Sequence, residues 1–139
     1  MDQEGSFFGF PYKHSLDVKD PEFGAMNSGY TMIDPILQLG AHVAPTGITF
    51  YEGELFKNFK NDLFITLHGS WNRSSKVGYK VIRVELDNDG NVVNTDDFIS
   101  GWLVEEKVFG RPSAPFVMND GSILISDDKA NIIYRVSRP

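Results

Sequence analysis

From Met32 onward the apolar residues fall in short bursts that alternate with polar ones, and no stretch keeps the three-to-four spacing of an amphipathic helix. The bursts predict eight strands, over residues 33–39, 46–51, 62–67, 79–86, 92–99, 114–118, 123–126 and 132–136. The turns between them have their own chemistry. Asn88-Asp89-Gly90-Asn91 and Asn119-Asp120-Gly121 supply the positive-φ positions that tight hairpins need. Residues 1–31 are rich in Gly, Pro, Asp and Ser, with Pro11 and Pro21 interrupting any regular element, and read as an irregular loop.

Two segments resemble each other: APTGITFYEG followed by DLFITL, and SAPFVMNDG followed by SILISD. In each, a strand reaches a Gly-bearing turn and a second apolar strand follows. That is the rhythm of propeller blades, which are four-stranded antiparallel sheets repeated around a channel. The pattern alone equally allows a small β-sandwich. As a propeller, the all-β chain amounts to about two blades. Residues 32–99 hold the outer strand of a preceding blade and one full blade, and residues 100–139 hold a connecting loop and three strands of the last. Such a unit ends in unpaired strand edges at both sides, and bare edges invite association.

Composition narrows the partners. A chain of 139 residues suits a single unit with its own core, and 11 Phe and 5 Tyr with 13 Gly and 7 Pro fit a β-rich globular protein. The net charge of −6 and the lack of a basic stripe argue against nucleic acid. With no cysteine there is no disulfide, thiolate metal site or cysteine nucleophile. The N-terminus MDQEGSFFGF lacks the pattern of a secretory signal, and no apolar run is long enough to span a bilayer.

The densest chemistry lies in HGSWNR, residues 68–73, directly before the strand at 79–86. Polar groups on a loop held by rigid strands are candidates for binding; the plain alternative is a solvated hairpin loop with Trp71 as a lid. Other motifs carry less. Asp87-Asn88-Asp89-Gly90 begins like a calcium loop, but its glycine comes too early and no glutamate closes it, so it reads as a hairpin turn. His68-Gly69-Ser70 lacks the second glycine of a nucleophile elbow. Asp127-Asp128 has the chemistry to bind a cation but reads sooner as a pair of solvated turn formers, and Asn72-Arg73-Ser74 is formally a glycosylation sequon.

Several segments resemble the soluble PQQ-dependent sugar dehydrogenases, the glucose and L-sorbosone dehydrogenase group. They are GFPYKH at 9–14, LGAHVAPTGITFYEGELF at 39–56, LFITLHGSWNR at 63–73, GYKVIRV at 78–84, GRP at 110–112 and DGSILISDDKANIIYRV at 120–136. The resemblance covers nearly the whole chain from Gly9 and matches the C-terminal part of such an enzyme. It implies a six-bladed propeller and a quinone, PQQ, that bears three carboxylates and therefore needs cations and planar donors. It places Arg111 on the cofactor. Ser113 stands where the glucose enzymes carry a second arginine, a charge that Arg73 would have to supply. His68 stands at the position of a cofactor-binding lysine, with Asn72 and Arg73 beside it; the alternative is a histidine that caps its strand. His42 falls where a threonine lies beside the cofactor, again with a structural alternative, and His14 reads as structural.

The catalytic base of the family, a histidine of its N-terminal half, has no counterpart in this chain, and the calcium ligands lie largely outside the matched region. The resemblance thus implies a cofactor wall without its base, exported to the periplasm or secreted. The rival reading is a non-catalytic, propeller-derived binding or assembly module. Expected partners are a missing N-terminal propeller part or copies of the chain itself. The copies would form a homotrimer with residues 33–39 completing the next copy's last blade, or a dimer by strand exchange.

Overall fold

A computed structural model describes residues 5–26 and 28–138. The chain divides between Leu39 and Gly40 into two compact units. In the first unit a small hairpin, β1 (Lys13–His14) with β2 (Val18–Lys19), stands inside the stretch read as an irregular loop. The Phe7 ring lies against the rings of Tyr12 and Tyr30, and Asp20 receives the N–H groups of Glu22 and Phe23. His14 Nε2 lies 2.9 Å from Asp20 Oδ2.

Residues 33–39 form no strand, which corrects the sequence-based expectation. Pro35 offers no N–H to a ladder, and the chain bends at Ile36 and Leu37. Asp34 takes the Lys13 ammonium at 2.5 Å, and the Gln38 amide bonds Ser15 at 2.5 Å. An edge strand exists only beside a neighbour; Ile33 donates its N–H to the Phe7 carbonyl at 2.8 Å, next to the isolated Phe7–Met32 bridge, and among the described residues no strand runs on beside the segment.

The second unit carries the predicted sheets. β3 (Pro45–Phe50), β4 (Leu63–Leu67), β5 (Lys80–Leu86) and β6 (Val92–Ile99) form a four-stranded antiparallel sheet in sequence order. A short hairpin, β7 (Leu103–Val104) with β8 (Lys107–Val108), leads to a three-stranded antiparallel sheet. It consists of β9 (Pro112–Val117), β10 (Ile123–Asp127) and β11 (Ile132–Val136). The fold is all-β and partial-propeller-like, one full blade and three strands of another, and its only helical element among the described residues is a 3-10 turn at Lys57–Phe59.

The two sheets repeat each other residue for residue. Leu63 lies opposite Phe50 and Val84, and Ile123 lies opposite Val117 and Val136. Both inner pairs slip by one residue at the same place, which leaves Thr46 and Ser113 as equivalent bulged positions. There the sheets touch. Thr46 Oγ1 donates to the Ser113 carbonyl at 2.7 Å and Thr66 Oγ1 donates to the same oxygen at 2.8 Å. A Cβ on Gly47 would stand 2.7 Å from Ala114, so only glycine lets the strands come this close.

Every residue of β4 is buried, as befits a central strand covered on both faces, and Phe64 is fully enclosed by Tyr51, Phe59 and Phe98. Enclosing a ring of that size contributes about 1.5–3 kcal/mol. The Tyr51 hydroxyl donates to the Gly121 carbonyl at 2.7 Å and accepts the Phe56 N–H at 3.0 Å, so one buried side chain ties the turn of each sheet to the other.

Candidate functional site

At the opposite end of the sheets from Tyr51, β4 runs into His68 and β10 runs into Asp128. These are equivalent positions of the two repeats, and the side chains meet. His68 Nε2 lies 2.9 and 3.1 Å from the two Asp128 oxygens. An ionised carboxylate only accepts, so the proton sits on Nε2, and Nδ1 of the neutral ring is left with a lone pair. The His68 side chain is 19% exposed, at a strand end fixed by backbone bonds from His68 N–H to Ala44 and from Gly69 N–H to Val43.

Arg111, on the last residue before β9, reaches across to this strand end. Its Nε donates to the His68 carbonyl at 3.1 Å and its Nη2 to the Gly69 carbonyl at 2.5 Å, with the guanidinium 5.6 Å from the centre of the Tyr79 ring. A guanidinium has five N–H donors; two hold the backbone and the rest remain for other acceptors. Gly69 is obligatory here, because its φ is +98° and a Cβ would run into the Tyr79 ring at 2.5 Å. The Tyr79 hydroxyl in turn donates to the Ser70 carbonyl, and the Ser70 hydroxyl accepts the Val77 N–H at 3.1 Å, closing the loop that carries Asn72 and Arg73.

Beneath Arg111 lies Asp127, 3% exposed. Its Oδ1 accepts the N–H groups of Arg111, Lys129 and Ala130 at 2.9, 3.1 and 2.8 Å. Gly110 packs so tightly on this carboxylate that a Cβ would lie 2.0 Å from Oδ2. The two acids read as solvated turn formers are therefore a buried hub and the partner of His68. The repeat pointed to the second of these, since laying LFITLH on ILISDD puts Asp128 on His68.

The other candidates lie further out. His42 is exposed on the turn before β3 with a φ of +67°, and Asn72 and Arg73 are exposed. Arg73 Nη1 reaches the Ala41 carbonyl at 3.4 Å, which brings the 68–73 loop to the His42 turn. His68 and Arg111 thus belong to one bonded cluster, and Arg73 and His42 sit at neighbouring turns. Ser113, at the position of the missing second arginine, turns its hydroxyl to the Arg111 carbonyl at 3.5 Å.

The hydrogen bond from His68, with the Ser113 hydroxyl and the Arg111 charge behind it, holds the Asp128 carboxyl below its ordinary 3.8. A depressed carboxylate contributes to the folded state above the ordinary range and loses that contribution as pH falls through its folded value. A carbon-detected NMR titration should therefore find the Asp128 carboxyl with a midpoint below 3.8. A midpoint at or above that value would exclude the His68 contact in solution.

A protein-family model described as TrAA12-like matches residues 19–102, and the chain belongs to this family. A protein of Borreliella burgdorferi described as uncharacterized is 46% identical over 133 residues, which is 93% of this chain and 35% of that one. The chain thus spans about a third of that relative's length. Among solved structures, a Trichoderma reesei member of Carbohydrate-Active Enzymes Family AA12 superposes with a TM-score of 0.70 at 21% identity, over 94% of this chain and 39% of that one. The holo PQQ domain of pyranose dehydrogenase from Coprinopsis cinerea gives 0.57 at 25% identity, covering 77% and 30%. A glucose dehydrogenase gives 0.66 at 19% identity, covering 97% and 36%.

Proposed function

We propose that this chain forms part of the cofactor pocket of a PQQ-dependent, sugar-oxidising oxidoreductase, with the catalytic base and the calcium ligands supplied by sequence outside it. The observation that carries the reading is the Arg111–His68–Asp128 cluster, at one end of two equivalent strands, in a chain related to a PQQ domain. The donor set suits a polycarboxylate. Arg111 keeps planar N–H donors beyond the two that hold the backbone, and Arg73 adds a second guanidinium. His68, with Nε2 turned to Asp128, donates from Nδ1 as an imidazolium or accepts there as a neutral ring. Asn72 and His42 complete the wall. PQQ, when bound, supplies a two-electron acceptor for hydride from a sugar. The residues of this chain bind and orient it, and the exported location of such enzymes would follow.

The rival reading, a binding or assembly module that has kept the fold, draws on one observation. Arg111 already spends two donors on the frame of the loop. Titrating the chain with PQQ, with and without calcium, separates the two. The expected result is a saturable change in PQQ absorbance with little or no dye reduction by any aldose. No spectral change at the highest PQQ concentration would overturn the cofactor reading and leave the module.

A further inference from the structure

The seam between the two sheets is closed without Asp128. Thr46 and Thr66 both donate to the Ser113 carbonyl, at 2.7 and 2.8 Å, and Arg111 spans the carbonyls of His68 and Gly69. The Asp128 side chain is 62% exposed, and a pair so open to water adds little to stability. Yet this carboxylate is aimed. Asp127 locks the turn after β10 by accepting the N–H groups of Lys129 and Ala130, and both Asp128 oxygens then stand within 3.1 Å of one imidazole nitrogen.

What the contact fixes is the ring. A histidine side chain can present either ring nitrogen to a partner and, when neutral, can carry its proton on either. The Asp128 carboxylate accepts only, so it keeps a proton on Nε2 and holds that edge of the ring toward β10. Nδ1 is then the ring atom left to meet a ligand. The backbone beneath the ring is fixed as well, since the His68 N–H goes to the Ala44 carbonyl and the His68 carbonyl takes the Arg111 guanidinium. For an anionic ligand the same carboxylate has a second effect of opposite sign, because it is a negative charge beside the pocket. Holding the ring favours binding and the charge opposes it. Without the imidazole only the opposition remains.

We propose that Asp128 is a positioning residue for the quinone cofactor, acting on it solely through His68, whose ring it holds so that Nδ1 meets the ligand. This rests on the PQQ pocket proposed for the chain and adds to it a residue that itself repels the cofactor. Position and charge are separable by substitution. An asparagine at 128 still offers an oxygen to the Nε2 proton but carries no charge, whereas alanine removes both.

PQQ absorbance titrations of the wild-type chain, Asp128→Ala, Asp128→Asn, His68→Ala and the double variant His68→Ala with Asp128→Ala test this, each protein being checked for folding by circular dichroism. His68→Ala should weaken PQQ about tenfold and Asp128→Ala about fivefold, the scale of one hydrogen bond lost or misdirected. Asp128→Asn should bind within about twofold of wild type or more tightly, since the ring stays held and the repulsion is gone. In the His68→Ala chain, adding Asp128→Ala should be neutral or tighten binding, the non-additivity expected of two residues that work as a pair. Equal losses from Asp128→Ala with and without His68 would overturn the proposal, as would no loss in its presence or an asparagine as harmful as alanine. Each of those results leaves the cofactor pocket standing. A wild-type chain that gives no PQQ spectral change overturns the pocket itself, and the positioning role falls with it.

Discussion

Replacing Asp127 with alanine is expected to destabilise the folded chain by about 3–5 kcal/mol, a large share of the roughly 5–15 kcal/mol that domains possess. The carboxylate is almost wholly buried and accepts three backbone N–H groups, those of Arg111, Lys129 and Ala130. Alanine leaves all three donors without their acceptor, each at about 1–3 kcal/mol before water enters. Gly110, packed against the same carboxylate, would face an empty space. Asp127→Asn keeps an oxygen at the Oδ1 position and should cost about half as much. Urea unfolding followed by circular dichroism measures both. An alanine variant within about 1 kcal/mol of wild type would show that the hub is dispensable. A further consequence concerns the site: the Arg111 N–H is one of the three donors, so losing Asp127 also loosens the segment that aims the Arg111 guanidinium at His68.

Arg111→Lys is expected to weaken PQQ about tenfold to a hundredfold, the equivalent of roughly 1.5–3 kcal/mol for a charge-assisted pair. An ammonium is a point charge and cannot make two parallel bonds to one carboxylate. Nor can it span the His68 and Gly69 carbonyls as the guanidinium does, so a fall in stability of about 1–3 kcal/mol should accompany the loss of affinity. Lys80 gives the control. It pairs with Asp97 at 2.6 Å on the outer strands, and Lys80→Ala should leave PQQ affinity within about twofold, because no exposed pair of this kind is worth much. The titration is read on samples shown to be folded, so the two effects separate. Equal affinities for wild type and Arg111→Lys would show that Arg111 serves only the frame.

Alternation and turn chemistry were sufficient to determine seven of the strands nearly to their ends, because a buried β-face imposes its period on the residues themselves. The repeat was visible in the same way, since APTGITF and SAPFV carry the same small and apolar residues into the same bulge. Residues 33–39 show the limit of that reading. Their pattern is that of a strand, yet a strand is a property of a pair; Ile33 alone bonds the Phe7 carbonyl, and Asp34 and Gln38 bond Lys13 and Ser15 where, among the described residues, no strand runs beside them.

Arginine, histidine and asparagine on loops between strands stood out as candidates by their chemistry, and the resemblance added Arg111 and His42 to them. What the sequence by itself determined was therefore the kind of residue and the strand each one ends. Only the tertiary structure decided which of them meet. His68 and Asp128 are 60 positions apart and Arg111 lies 43 from His68, and they come together because the two sheets pack through Thr46, Gly47 and Ser113 with their equivalent strand ends side by side. Whether an aspartate is solvated or forms a buried hub depends on the backbone N–H groups that surround it, and no local pattern in Asp127-Asp128 records those.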